Sequence, residues 1–332
     1  MFKAELLCFA LTKDAFYEGE SACGSGRSYN AGMPSHRKER RRTELRNPAS
    51  KKLDRMMAVE IVRLMNREDS KVARAVGRES GAIARAVDAI VGALRKGGRL
   101  IYVGAGSSGR MGVLDAAECP PTFGTSPKLV VALIAGGRRA ITRAVEGAED
   151  SERNGARDLR AIRLTERDVV VGIAASGTTP YVVGALKYAR GRGAMTLAVT
   201  SNLRMPVGRV AKIVIAPEVG PEVLTGSTRL KAGTSQKMVL NMLSTGVMAR
   251  LGHVYENLMI DMMLTNEKLA ERAVRILVEA SGASVSAAEQ ALRAGGHNLR
   301  VGLVMLKRGA RAEEAKRLIA RAGGDLRGAL GE

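Results

Sequence analysis

The chain has 332 residues, 45% of them hydrophobic, and a formal net charge of +20 from 53 Lys and Arg against 33 Asp and Glu. That length can bury a full core, and Cys8, Cys23 and Cys119 are too few and too scattered for a disulfide framework, which fits a reducing, cytoplasmic setting. No apolar run reaches the roughly 18 residues of a membrane helix, and three histidines with no CxxC offer no metal-ligand spacing, so membrane spanning and metal chemistry are set aside.

Residues 1–42 lack sustained periodicity and end in the basic run RKERRR (37–42), which reads as a disordered basic extension, with Met33 as an alternative start. The remaining arginines are dispersed beside acids, and aromatic residues make up 3% with no Trp. This reads as a solvated surface, not a nucleic-acid site, although the field would attract anions. Helical spacing of apolar residues predicts two amphipathic helices, over 50–66 and 70–95.

Five short apolar runs follow, at 99–104, 129–135, 168–174, 195–200 and 212–216, each separated by enough chain for a helix. Strands apolar throughout and alternating with helices predict an α/β fold with a doubly wound, five-stranded parallel sheet flanked by helices. A long helix is expected over 234–251. Three short helices at 267–280, 284–294 and 311–321 then form a small C-terminal appendage, so the expected domains are 43–266 and 267–332.

The first strand empties into GAGSSGR (104–110) and the third into ASGTTP (175–180). Glycine lets the backbone turn and approach a ligand, the following helix N-terminus aims free N–H groups at negative charge, and hydroxyls add donors without bulk. Gly106, Ser107 and Ser108 in the first loop and Ser176, Gly177, Thr178 and Thr179 in the second are therefore candidate ligands for a phosphorylated sugar, at the edge where open α/β sheets bind ligands. Lys231, in TGSTRLKAGTSQK (225–237), is a third anion-friendly candidate. Gly104, Gly106 and Gly109 also satisfy G-x-G-x-x-G, but the strand over 129–137 ends in two glycines where a dinucleotide site needs a carboxylate.

The runs GAGSSGRMGVLDAAECPPTFGT (104–125), AVEGAED (144–150), GIAASGTTPYV (172–182) and TGSTRLKAGTSQKMVLNMLST (225–245) resemble the N-acetylmuramic acid 6-phosphate etherases of the sugar isomerase (SIS) domain superfamily. TELRNPASKKLD (43–54) and YENLMIDM (255–262) extend the resemblance over about 43–330. It implies an SIS-type sheet, no cofactor, a phosphosugar substrate, and a homodimer with sites near the subunit boundary. It further implies cleavage of a lactyl ether to N-acetylglucosamine 6-phosphate and D-lactate during recycling of cell-wall sugars. Glu118 stands where the family has the acid that assists lactate departure, and Glu149 where it has the second catalytic carboxylate. The chain departs from the family pattern at Thr178, where arginine is usual, and more mildly with Ser107 for Thr and Ala117 for Ser. The alternatives are an SIS phosphosugar isomerase, which needs no leaving-group acid, and a non-catalytic sugar-phosphate regulator, which needs neither carboxylate.

Overall fold

The computed structural model describes residues 41–332; all but the last two residues of the expected N-terminal extension lie outside that range. Short 3-10 turns at Arg42–Glu44, Pro48–Ser50 and Leu53–Arg55 lead into α1 (Ala58–Gly77) and α2 (Ser80–Arg95). The alternating part then runs β1 (Leu100–Gly104), α3 (Gly106–Phe123), β2 (Val130–Ile134), α4 (Arg139–Thr142), α5 (Glu152–Ala161), β3 (Val169–Ile173) and α6 (Pro180–Gly191). It ends with β4 (Met195–Val199), α7 (Pro206–Val210), β5 (Ile213–Ile215) and α8 (Lys231–Arg250). All five strands are parallel in the order β2-β1-β3-β4-β5.

Successive strand residues feed opposite layers, as the period of two requires. Leu100 and Tyr102 join α1, α2, α3 and α8 in one core, while Ile101 and Val103 join α5, α6 and α7 in the other. Both faces of the sheet are thus covered, which explains why the strands carry no polar alternation and confirms the doubly wound α/β arrangement.

The first helix boundary differs from the expectation. The polar residues RED (67–69) between the two expected helices lie inside α1, because Glu68 points inward at 3% exposure and receives Nζ of Lys231. The chain breaks after Gly77 instead, and the Glu79 carboxylate there accepts the backbone N–H of Ala216 beyond β5. α8 begins at Lys231 rather than 234 because the buried Glu222 carboxylate accepts the N–H groups of Lys231 and Ala232, at 3.0 and 2.9 Å.

The C-terminal region contains the three expected helices, α9 (Glu267–Ser281), α10 (Val285–Ala294) and α12 (Ala312–Arg321), and two more, α11 (Leu299–Arg308) and α13 (Leu326–Leu330). α11 is hidden in the sequence because Gly302 reads as a turn. In the fold it is the point of close approach, where an added Cβ would stand 3.2 Å from a Leu277 methyl. These helices share an apolar core of their own with Tyr255, Ile260 and Met262.

α5 and α6 cross almost backbone to backbone. A Cβ on Gly155 would run into the Tyr181 carbonyl oxygen, and one on Gly184 into that of Glu152. Gly184→Ala is therefore expected to lower the free energy of unfolding by about 1–3 kcal/mol, read as a lower urea midpoint at unchanged slope.

Candidate active site

The first two small-residue segments open side by side. β1 and β3 are neighbours with Gly104 opposite Ile173, so both strands end level at one sheet edge. α3 starts at once: Gly106 has a left-handed φ of 52°, and Ser107 and Ser108 lie in the first helical turn rather than in a loop. No side chain caps this N-terminus, so its leading amides face the sheet edge without an intrahelical partner. In the second segment Gly177 has φ 73°, and Ser176 Oγ accepts the backbone N–H and the hydroxyl of Thr178, at 3.2 and 3.1 Å. Thr179 precedes α6 without a side-chain cap, and Pro180 at the first helical position has no N–H to satisfy. Two helix N-termini thus converge on a place suited to a compact anion.

Glu149 belongs to the same edge. It lies exposed on the 3-10 turn Ala148–Asp150, which packs against α6 in the connection after β2. The start of that connection is tied to α3 by Arg110, whose guanidinium donates to the carbonyls of Ile141 and Arg143, at 2.8 and 3.1 Å.

Glu118 stands apart from this group. It is twelve residues beyond Gly106 on α3, about 18 Å down the helix axis at 1.5 Å per residue. There it is exposed beside a cavity of about 220 Å³ that also takes Asp115, Lys237 and Asn241. Asp115, one turn earlier, is fixed by the Tyr102 hydroxyl at 2.8 Å and the Ser244 hydroxyl at 3.0 Å. Burial pushes its carboxyl above the usual range, although both hydrogen bonds oppose that rise. Next to Glu118, Cys119 is buried, with Sγ against the Asp115 carbonyl at 3.3 Å. Burial, with Asp115 and Glu118 beside it, pushes its thiol up to about 12.

Lys231 goes elsewhere. Its Nζ is bound to Glu68 at 2.7 Å, the side chain is 1% exposed, and Glu68 also accepts from Lys71 and Asn47. Burial alone would raise the Glu68 carboxyl, but the hydrogen bonds from Lys231, Lys71 and Asn47 outweigh it and hold the group at about 2. In this geometry Lys231 locks α8 to α1 instead of facing the two loops.

Tyr102, Asp115, Lys237, Asn241 and Ser244 were not singled out from the sequence. A readable signal was present, since Asp115 and Glu118 are three apart and Lys237, Asn241 and Ser244 fall at helical spacing, so each set shares one face. Among the described residues, no three His, Cys, Asp or Glu side chains come together as a metal site, and no helix is long and apolar enough to cross a membrane.

The model of the SIS domain matches residues 143–246, and that of the glucokinase regulatory protein N-terminal SIS domain matches 82–190. The chain is similar to the N-acetylmuramic acid 6-phosphate etherase of Mycolicibacterium smegmatis, 55% identical over 289 residues, covering 87% of this chain and 97% of that one. It is also similar to the protein of the same name from Pectobacterium atrosepticum, 52% identical over 288 residues, with 87% and 95% covered. Among solved structures, a phosphoheptose isomerase from Francisella tularensis aligns with 58% of this chain and all of its own, at a TM-score of 0.46 and 18% identity.

Replacing Lys231 by Met leaves the buried Glu68 carboxylate without its buried counter-charge, and an unfolding free energy lower by roughly 3–5 kcal/mol is expected by urea denaturation. The pH dependence has a defined direction. Because the folded carboxyl is held at about 2 against an ordinary 4.5, its contribution is present above about pH 4.5 and lost as pH falls toward 2. In Lys231→Met the folded carboxyl moves back toward its unfolded value, so that acid-dependent loss should be smaller and should end at a higher pH.

Proposed function

Because the chain belongs to the N-acetylmuramic acid 6-phosphate etherase family, we propose that it cleaves the lactyl ether of N-acetylmuramic acid 6-phosphate, giving N-acetylglucosamine 6-phosphate and D-lactate. The observation that carries this reading is the pair of uncapped helix N-termini, α3 and α6, opening level at one sheet edge with Ser107, Ser108, Ser176, Thr178 and Thr179 around them. A 6-phosphate placed there receives backbone N–H groups and hydroxyls, with Gly106 and Gly177 supplying turns that a side chain would strain.

In the ring-opened sugar the aldehyde acidifies the proton on carbon 2. Glu149, on the loop edge, takes that proton; the C–H electrons form the carbon 2–carbon 3 double bond, and the carbon 3–oxygen bond breaks. The departing lactate oxygen takes a proton from Glu118. Water then adds across the double bond, its oxygen to carbon 3 and its proton to carbon 2. Both proton transfers are general acid–base steps suited to carboxyl groups.

We infer a homodimer, which the same geometry supports. The distance along α3 between the phosphate cradle and Glu118 is longer than one phosphohexose, so a complete site takes the cradle from one copy and the acid from another. The surface around Glu118 supports this, because Leu114 on α3 and Met242 on α8 are 47% and 42% exposed although large and apolar. We place the enzyme in the cytoplasm, where cell-wall sugars are recycled.

The test is lactate release from N-acetylmuramic acid 6-phosphate in deuterated water, with carbon 2 followed by NMR. The wild type should release lactate and carry deuterium at carbon 2. Glu118→Gln should release lactate roughly 10²–10⁴-fold more slowly while still exchanging the carbon 2 proton. A wild type that binds the substrate and releases no lactate would make the chain a sensor; one that converts aldose to ketose would make it an isomerase.

A further inference from the structure

Resting on the reading that the two loops hold a phosphosugar, we infer that Arg204 is the cation that binds the phosphate and sets affinity for phosphorylated over neutral sugar.

A phosphate monoester in the cradle meets neutral donors from both loops, and the second segment from Gly172 to Val182 contains no Lys or Arg at all. Two cations that would otherwise be candidates are committed. Lys231 is bound to Glu68 and 1% exposed, and Arg110 is spent on the carbonyls of Ile141 and Arg143. Arg204 is exposed, and among the described residues it makes no ion pair and no side-chain hydrogen bond.

Its position follows from packing. The segment after β4 folds onto the second loop: the N–H of Val207 donates to the Gly177 carbonyl at 3.1 Å, and a Cβ on Gly177 would stand 2.5 Å from that of Met205. Arg204 is the residue before Met205, about 3.8 Å of chain away, so the loop lies within reach of an arginine side chain. The next cation, Arg209, is carried past the contact on α7. Arg204 also has a left-handed φ of 60°, a backbone state that favours glycine, and this turn is what brings Met205 onto Gly177. A second feature lies on the same segment. Ser201 is 2% exposed with an Oγ that lacks any partner, while its backbone N–H is held by the Ala175 carbonyl next to Ser176. An arginine kept in a conformation that disfavours it, unpaired, and set beside a cation-free phosphate loop is placed for binding rather than for folding.

The test uses the full chain and two probes, inorganic phosphate by calorimetry and N-acetylmuramic acid 6-phosphate by lactate release. Arg204→Gln should weaken phosphate binding and raise KM by about tenfold with kcat held within about twofold, the pattern of a lost ground-state contact. Arg204→Gly suits the left-handed backbone, so it should show the same loss of affinity with an unchanged or higher Tm. Thr178→Arg introduced into Arg204→Gln, which returns a cation to the loop itself, should recover the phosphate affinity. Unchanged phosphate binding in Arg204→Gln overturns the assignment, as does a fall in Tm that accounts for the lost affinity in both variants. A wild type that binds phosphate through Arg204 but releases no lactate upholds the assignment and overturns the etherase reading alone.

Discussion

The turn from β1 into α3 depends on a contact only glycine permits. A Cβ on Gly104 would stand 2.7 Å from the Gly109 Cα, and one on Gly109 would stand 2.6 Å from Ile134. With both side chains absent, the first turn of the helix sits directly on the end of its strand, and its free amides come out at the sheet edge instead of above it. The parallel pairing of β1 with β3 then puts the second loop beside the first without further design. The stretch leading toward the Glu149 turn is anchored to the same helix turn, since Arg110, one residue past Gly109, holds the carbonyls of Ile141 and Arg143.

The start of α8 is set by burial of charge. Glu222 and Glu68, 0% and 3% exposed, lie among donors from the α8 backbone, Lys231, Lys71 and Asn47, and this cluster joins the N-terminal turns, α1 and α8. Such a cluster is intolerant of losing one member, because the remaining charge has no water to turn to. It also shows that a strongly basic composition need not mean a uniformly basic interior. The lysine deepest in the core is matched, and the surplus cations lie outside.

Much of this is legible in the amino-acid sequence. Each of the five strands falls within a residue or two of its apolar run, because fully buried parallel strands leave an uninterrupted signal, and both loops announce themselves through glycine and serine. What escaped had specific causes. Glu68 reads as a solvated residue in a polar run, since nothing local reveals a lysine 163 positions away. Gly302 hid a helix because close helix packing and a turn use the same residue. Lys231 was grouped with the phosphate loops by its neighbours in sequence, yet its direction is decided by which face of α8 meets α1. The separation of Glu118 from the loops follows from helix rise once α3 is seen to run unbroken to Phe123, through two prolines that look like a stop.

Cys119 gives the fold a chemical safeguard. The proposed elimination passes through an unsaturated aldehyde, an electrophile that thiolates capture readily, and the thiol is adjacent in sequence to the residue that would release the leaving group. Because burial pushes Cys119 up to about 12, it remains protonated and inert at neutral pH. A soft electrophile formed beside Glu118, as proposed, would meet a buried and protonated thiol.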